Sequence, residues 1–331
     1  MANLGAGLAV QGPGTPRLER CTIRDNQAVG SGGGVLSEED SQLTLVDCDL
    51  TGNRGGTGGG AGAGAGGLYL RDCRLTGNQA DFGGGVGLMS TASVRIRDCV
   101  IAGNAALFWG GGLCADDAGF LLSGGRIDAN TAGLEGGAAY LLDSAGQLAG
   151  CWIRDNASAG ETGGLHLDGS RLSVTGSGLT GNGTAIRVTQ PLAEPVDARL
   201  NWWGDSTGPF HPLENPSGQG DAVSDNVLFA PWTIETAAPT AGAALRLAAR
   251  AARGGVELQM TLPVAGAVRL AVYDPTGRRV AVLREGFATA GASGLRWEGR
   301  DLSGRAVASG LYLFRLESGG RAVTARGLLI R

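Results

Sequence analysis

The fold is decided by the stretch Cys99-Val100-Ile101-Ala102-Gly103-Asn104, which the chain repeats with small changes at a nearly fixed interval. Its asparagine returns every 25 to 27 residues. The seven copies are Asn26, Asn53, Asn78, Asn104, Asn130, Asn156 and Asn182. A period this regular indicates a stack of repeats in which each repeat packs mainly on its two neighbours.

Each repeat has the alternation of polar and apolar residues that is typical of short β-strands. The alternation changes phase near Asp98 and resumes up to Asn104, which indicates two strands joined by a bend. A short variable loop follows each asparagine, and a glycine cluster such as Gly110–Gly112 leads into the next apolar stretch. One repeat is therefore predicted to contain three short strands and three bends. Such repeats predict a right-handed parallel β-helix of roughly seven to eight coils, in which neighbouring coils lie about 4.8 Å apart.

Stacking places like residues on like, which explains the two most regular positions. The asparagines are predicted to form a ladder inside one bend, with their amides bonded along the helix axis and to buried backbone groups. A second column consists of Cys21, Cys48, Cys73, Cys99 and Cys151. Parallel Cβ directions make disulfides between neighbouring coils difficult, so we expect buried free thiols. Cys114 belongs to another strand, and we expect that thiol at the surface.

Composition and charge exclude several classes of protein. The 331 residues are 43% hydrophobic, which is too apolar for a disordered chain, and no apolar run reaches the roughly 20 residues of a membrane helix. Residues 1–244 carry a net charge of −12 and residues 245–331 one of +8. An acidic body argues against a nucleic-acid partner.

The first repeat is shorter than the others. Asn3 stands 23 residues before Asn26, so we expect the β-helix of residues 1–199 to be N-terminally incomplete.

The repeat ends near residue 200, where bulky aromatic residues replace it. Trp202, Trp203 and Trp232 lie in residues 200–235, and we interpret this segment as a cap that closes the open end of the β-helix. The alternative is a tryptophan-lined sugar site. Residues 236–242 are predicted to be a linker, and residues 243–331 return to alternating strands without the period, which indicates a small antiparallel sandwich.

Two resemblances follow from these motifs. The pairing of Gly-Gly-apolar with apolar-x-x-Asn resembles the repeats of chlamydial polymorphic outer membrane proteins and, more broadly, the right-handed β-helix surface proteins of the pectin-lyase-like superfamily. That superfamily includes lyases, hydrolases and adhesins, so the resemblance implies a fold more than an activity. It covers about residues 3–200.

The tail carries the second resemblance in the stretches 273–280, 297–301 and 309–312. They are similar to the immunoglobulin-like FlgD-type domain and to the C-terminal sorting domains of type IX secretion. The resemblance implies that the tail directs the protein through the outer membrane, with the secretion machinery as a partner, or serves as a retained spacer domain.

The strands after the glycines are the expected working face, and they hold acids without arginine or lysine. An elimination on an anionic uronide needs a base and cations for the substrate carboxylate, so a lyase is disfavoured. Hydrolysis by paired carboxylates stays open, with Asp116 paired with Asp143 or Asp168, although solvated strand carboxylates are the favoured interpretation. Cofactors and metals are not expected. Ca²⁺ on an acid cluster is the alternative, without a recognisable binding loop.

Aromatic residues on neighbouring coils give the candidate binding positions Phe108, Trp109 and His166. Phe82 and Phe108 each stand four residues after a ladder asparagine, with Leu134 next in line. These side chains form either an aromatic strip for glycan stacking or an internal stack, and the internal stack is favoured.

The favoured function is that of a secreted or cell-surface structural and binding protein, an adhesin-like or glycan-binding stalk with a sorting or anchoring tail. Its partners would be an extracellular glycan or a cell-surface protein, and its location extracellular or on the outer-membrane surface. The alternative is an extracellular polysaccharide hydrolase that uses the carboxylates of the post-glycine face.

Overall fold

The computed structural model describes residues 7–90, 93–190, 193–234, 245–252, 254–262, 266–288, 291–301, 304–318 and 321–330. The chain divides into two compact units, Met1–Glu235 and Thr236–Arg331. Across the described ranges the regular elements are all β-strands, and none of these residues forms a helix long and apolar enough to cross a membrane. The predicted linker, 236–242, lies outside the described residues.

The first unit is a parallel β-helix of about seven turns, built from four sheets that run along its axis. Sheet 1 contains β1 (Leu8–Val10), β4 (Val35–Ser37), β8 (Ala61–Ala63), β12 (Val86–Met89), β16 (Leu113–Asp116), β20 (Ala139–Leu142), β24 (Leu165–Asp168), β27 (Thr184–Val188) and β29 (Ala222–Val223). Sheet 2 contains β2 (Arg17–Glu19), β5 (Gln42–Val46), β9 (Gly67–Arg71), β13 (Ser93–Arg97), β17 (Gly119–Ser123), β21 (Ala145–Ala149), β25 (Arg171–Thr175), β28 (Val196–Asp197) and β30 (Val227–Leu228).

Sheets 3 and 4 complete each coil. Sheet 3 contains β3 (Thr22–Arg24), β6 (Asp49–Thr51), β10 (Arg74–Thr76), β14 (Val100–Ala102), β18 (Arg126–Asp128), β22 (Trp152–Arg154) and β26 (Gly178–Thr180). Sheet 4 contains β7 (Arg54–Thr57), β11 (Gln79–Phe82), β15 (Ala105–Trp109), β19 (Thr131–Ala132) and β23 (Ala157–Ser158). The sequence predicts three strands per coil, whereas five of the coils contain four strands. The segment after each asparagine, expected to be a loop, is the sheet 4 strand in five coils.

The predicted asparagine ladder is present. The Oδ1 atom of Asn104 accepts hydrogen bonds from the backbone N–H and the Nδ2 of Asn78, at 2.9 and 3.0 Å. Its own Nδ2 donates to the Leu75 carbonyl and to Asn130 Oδ1, both at 2.9 Å. Asn53 through Asn182 are buried and Asn26 is half-buried. Each amide thus satisfies backbone groups that a tight buried bend would otherwise leave unpaired.

The cysteine column lies next to the ladder. Cys48, Cys73, Cys99 and Cys151 are buried and Cys21 is half-buried, and all are unbridged. Their sulfur atoms approach the backbone N–H of the preceding coil, as in the 3.4 Å contact from Cys73 N to Cys99 Sγ. The column therefore consists of small buried side chains packed between backbone groups.

The end of the β-helix is closed by side chains that take over the ladder bonds. Asp221 accepts hydrogen bonds from the backbone N–H and the Nδ2 of Asn182, at 2.8 and 2.9 Å. Asn201 does the same for the neighbouring column by accepting from Ser177 N at 2.8 Å. Trp203 is fully buried in the core beneath them, while Trp202 and Trp232 are half-buried. The cap thus replaces an open edge with satisfied donors and a bulky plug.

The second unit consists of two antiparallel sheets. One contains β31 (Arg246–Ala252), β32 (Gly255–Leu262) and β35 (Gly291–Trp297). The other contains β33 (Gly266–Tyr273), β34 (Arg279–Ala288), β36 (Gly310–Ser318) and β37 (Arg321–Leu329). Its core is built around Trp297, which makes an edge contact with Phe314 at 5.6 Å between ring centroids. The arrangement is that of an immunoglobulin-like sandwich.

Replacing one buried amide tests the ladder. Asn104→Ala removes the acceptor of the Asn78 backbone N–H, one of the two bonds from Asn78 Nδ2, and the donor to the Leu75 carbonyl. We therefore expect the free energy of unfolding to fall by about 3 kcal/mol. The matched control is Asn26→Ala at the half-buried end of the ladder, with an expected loss of about 1 kcal/mol. Chemical denaturation of both variants measures the difference. Equal losses would contradict the ladder as the source of stability.

Candidate functional site

The glycine clusters form a concave corner between sheets 4 and 1. Gly110 has a φ of 69°, and a Cβ at Gly111 would collide with the Thr131 carbonyl. The chain therefore turns back there more sharply than a side chain would permit. The residues of sheet 1 that point away from the core are covered at this corner, and Cys114, Tyr140 and His166 are each only 6–7% exposed. We call this region the glycine corner.

This arrangement corrects two expectations. The outward side of the post-glycine strands is largely buried rather than an open working face, because the ends of the sheet 4 strands fold over it. Cys114, expected at the surface, is 7% exposed. Burial raises the pKa of its thiol to about 12, with the Asp116 charge acting in the same direction.

Four rings from successive coils are stacked along the corner. Phe82 lies 5.4 Å from Trp109 between ring centroids. Trp109 lies 5.1 Å from Tyr140, and Tyr140 lies 4.9 Å from His166, with interplanar angles of 16° and 15°. The internal stack expected from the sequence, formed by Phe82, Phe108 and Leu134, is wrong in two of its three members. Phe108 and Leu134 are 38% and 46% exposed, and the stack continues from Phe82 through Trp109, Tyr140 and His166. We call these four side chains the aromatic stack.

A local irregularity positions Trp109. In the pairing of β11 with β15, Ala80 lies opposite Ala106 whereas Phe82 lies opposite Trp109, so β15 carries one extra residue. Such a bulge re-aims the side chains around it. Trp109 turns onto the aromatic stack, while Phe108 stays 38% exposed beside it.

The aromatic stack borders a small cavity of about 150 Å³. Phe82, Trp109 and Tyr140 form one side, and Met89 and Asp116 belong to the rest of its lining. The volume is below the roughly 300–1,000 Å³ of typical ligand pockets. It matches a single small ring or side chain that enters from the surface, next to the exposed edge of Phe108.

The three carboxylates singled out from the sequence do not all come together. Asp116 and Asp168 occupy the same row of sheet 1, two coils apart, with Leu142 between them. Asp143 lies instead in a turn with a φ of 45°, and its carboxylate faces Gly169. Two steps of about 4.8 Å place the Cα atoms of Asp116 and Asp168 about 9.6 Å apart.

Asp168 lies in an environment shared with the aromatic stack. Burial raises the pKa of Tyr140 to about 12, and the charge and hydrogen bond of Asp168 add to this effect. The Oδ1 atom of Asp168 is buried and has no hydrogen-bond partner among the described residues. An unpaired buried carboxylate oxygen is costly, and a hydroxyl donor would satisfy it.

His166 ends the aromatic stack and is held by neighbouring side chains. Its Nδ1 lies 3.1 Å from Thr162 Oγ1 and 3.6 Å from Glu135 Oε2. Burial lowers the pKa of His166, and the charge of Glu135 opposes that shift only in part. The ring is therefore neutral near pH 7, with its nitrogens engaged by the protein.

Sequence reasoning missed Tyr140 and Glu135. Tyr140 was detectable, because Cys114, Tyr140 and His166 follow one another at intervals of 26 residues and so occupy one row of sheet 1. Glu135 gave no such signal, because it belongs to a turn whose sequence varies between coils. Within the described ranges, no group of three or more His, Cys, Asp or Glu side chains is placed to hold a metal ion.

Comparison with known proteins identifies the second unit. Residues 242–321 match the family model described as the FlgD Ig-like domain. The C-terminal unit is an FlgD Ig-like domain. A search of curated proteins gave no match to the chain. A β-helix joined to an FlgD Ig-like domain is compatible with an exported or surface protein.

Thiol labelling tests the glycine corner. In the native protein Cys114 is expected to resist alkylation, because it is buried and its pKa is about 12. Trp109→Ala removes a ring from the cavity that Cys114 lines, and we expect labelling of Cys114 to rise at least tenfold. Phe108→Ala is the control and is expected to leave Cys114 protected. Peptide mapping locates the label, and rapid labelling of Cys114 in the native protein would contradict this geometry.

Proposed function

We propose that this chain is an exported, surface-displayed β-helix protein that binds glycan without cleaving it and is sorted or anchored by its FlgD Ig-like domain. The observation that carries the proposal is the aromatic stack, which lines a cavity with a carboxylate at its edge. The fold and the domain identity support export.

The chemistry of the glycine corner suits the end of a neutral glycan. The apolar face of a sugar ring packs on aromatic rings such as Phe82 and Trp109, which offer a large rigid contact area. Asp116, which lines the cavity, accepts hydrogen bonds from sugar hydroxyls. The cavity of about 150 Å³ suits one ring at a chain end, with the exposed Phe108 beside it for the next.

A binding measurement tests this proposal. Trp109→Ala is expected to weaken binding of neutral oligosaccharides about tenfold or more, as for an aromatic residue at the centre of a contact. Asp116→Asn keeps the shape and is expected to weaken binding less. Leu213→Ala, a change at an exposed position of the cap, is the control. Affinities that are unchanged in Trp109→Ala for every glycan bound by the wild type would refute the proposal.

A hydrolase is the second candidate, favoured by one observation. Asp116 and Asp168 share a row, and inverting glycosidases hold their carboxyl groups about 6.5–9.5 Å apart. Release of reducing ends from a polysaccharide panel, abolished by Asp116→Ala and retained in Asp143→Ala, would replace the binding proposal with this one.

Deletion of residues 243–331 tests the role of the tail. If the FlgD Ig-like domain is the sorting element, the truncated protein is expected to accumulate in the periplasm, and the full chain to reach the surface or the medium. Cell fractionation and surface protease treatment distinguish the two. A control that retains the domain but carries Arg250→Gln, a change at an exposed position outside the three stretches that resemble sorting domains, is expected to behave as wild type. Unchanged surface display of the truncated protein would contradict sorting by this domain.

A further inference from the structure

A second groove lies on the outward face of sheet 2, away from the glycine corner. Its volume is about 740 Å³, within the roughly 300–1,000 Å³ typical of ligand sites. Strands β13, β17, β21 and β25 form its floor, and the segment 194–197 lines one end.

The floor consists of two outward rows that run parallel to the helix axis. One row contains Ser93, Gly119, Ala145 and Arg171. The other contains Arg95, Leu121, Gln147, Ser173 and Asp197. Gly119 and Ala145 are small, so the middle of the first row is a depression between Arg95 and Arg171. Successive positions in a row are about 4.8 Å apart, so the groove presents a regular series of contacts to a linear polymer.

The two arginines of the groove differ from their neighbours. Arg97 and Arg71, on the same sheet, pair with Asp98 and Asp72 at 3.2 and 3.5 Å. The guanidinium groups of Arg95 and Arg171 have neither a hydrogen bond nor an ion pair within the part of the chain that the structure describes. Both are exposed. The groove therefore presents two unpaired guanidinium groups on a body with a net charge of −12.

We propose that this groove binds a linear glycan that carries carboxylate or sulfate groups. A guanidinium group forms paired, charge-assisted hydrogen bonds with such anions. Gln147 and Ser173 match sugar hydroxyls between the charged groups, and Leu121, 38% exposed, gives an apolar contact. This groove is distinct from the glycine corner, so the proposal does not depend on glycan binding at the glycine corner.

The charges at the far end of the groove set the orientation of the ligand. Asp197 is neutralised by Arg199, at 2.8 Å, and the hydrogen bonds from Arg199 lower the pKa of Asp197. Glu194 lies beside them and makes neither a hydrogen bond nor an ion pair with another described side chain. The anionic groups of the ligand therefore lie at Arg95 and Arg171, and the part of the ligand beside Glu194 is uncharged.

Binding is measured by calorimetry with the full chain and four probes: oligogalacturonate, dextran sulfate fragments, neutral dextran and a single-stranded oligonucleotide. Arg95→Gln and Arg171→Gln are each expected to weaken binding of an anionic glycan about tenfold, and added salt to weaken it further. Arg24→Gln removes the same charge from an exposed position on sheet 3 and is the control. Ala145→Glu places a carboxylate on the floor and is expected to abolish binding, whereas Ala145→Ser is expected to preserve it.

The outcomes separate the possible ligands. Binding of either anionic glycan that depends on Arg95 and Arg171 supports the proposal, and the better probe identifies the anion as carboxylate or sulfate. Absence of binding to both anionic glycans, or binding unaffected by the two substitutions, overturns it. Binding of neutral dextran that depends on Arg95 and Arg171 and equals that of the anionic glycans also overturns it, as does stronger arginine-dependent binding of the oligonucleotide. Trp109→Ala leaves this groove intact, so failure of the glycine corner as a site does not affect these results.

Discussion

The structure depends on one recurring interaction, the hydrogen bonding of a buried amide to the bend of the coil before it. Each ladder asparagine from Asn53 to Asn182 accepts a hydrogen bond from the backbone N–H of the asparagine in the preceding coil. It also donates to the carbonyl three residues before that preceding asparagine, as Asn104 does with Asn78 and Leu75. A buried bend has no water to satisfy these groups, so an amide must be present at that point in every coil. This requirement fixes the period and, with it, which side chains of different coils become neighbours.

The fixed period also explains where the chain can vary. The strand β15 is one residue longer than its neighbour β11. The connection that follows sheet 1 in the same coil is shorter, with two residues between β16 and β17 against three between β12 and β13. The asparagine spacing from 78 to 104 to 130 thus remains 26. A change in one strand is compensated within its own coil, so the ladder remains aligned while a side chain such as Trp109 is re-aimed.

The repeat fold was predictable from the sequence because the residues that cause it recur in every coil. Seven asparagines, each preceded by a residue with positive φ such as Gly103 at 62°, mark the bend. The sheet 4 strand was missed because sequences such as Arg54-Gly55-Gly56-Thr57 show no alternation of polar and apolar residues. Cys114 was misplaced for a related reason. Alternation distinguishes an inward from an outward side, but it does not reveal that the outward side lies in a concave corner covered by another strand.

Uniform stacking restricts which chemistry the β-helix can support. Catalysis needs different groups held a few ångströms apart in one geometry, whereas stacking places equivalent positions in straight rows at a constant step. Asp116 and Asp168 illustrate the restriction, since the row separates them by Leu142. Binding of a polymer has the opposite requirement, namely a repeated contact along a line. The two candidate surfaces arise where one coil departs from the repeat. The bulge at Phe108 and Trp109 and the small Gly119 on the sheet 2 floor both lie between Asn104 and Asn130. In a regular β-helix, a specific surface therefore forms where a coil departs locally from the repeat. In this protein the coil between Asn104 and Asn130 contributes to both surfaces.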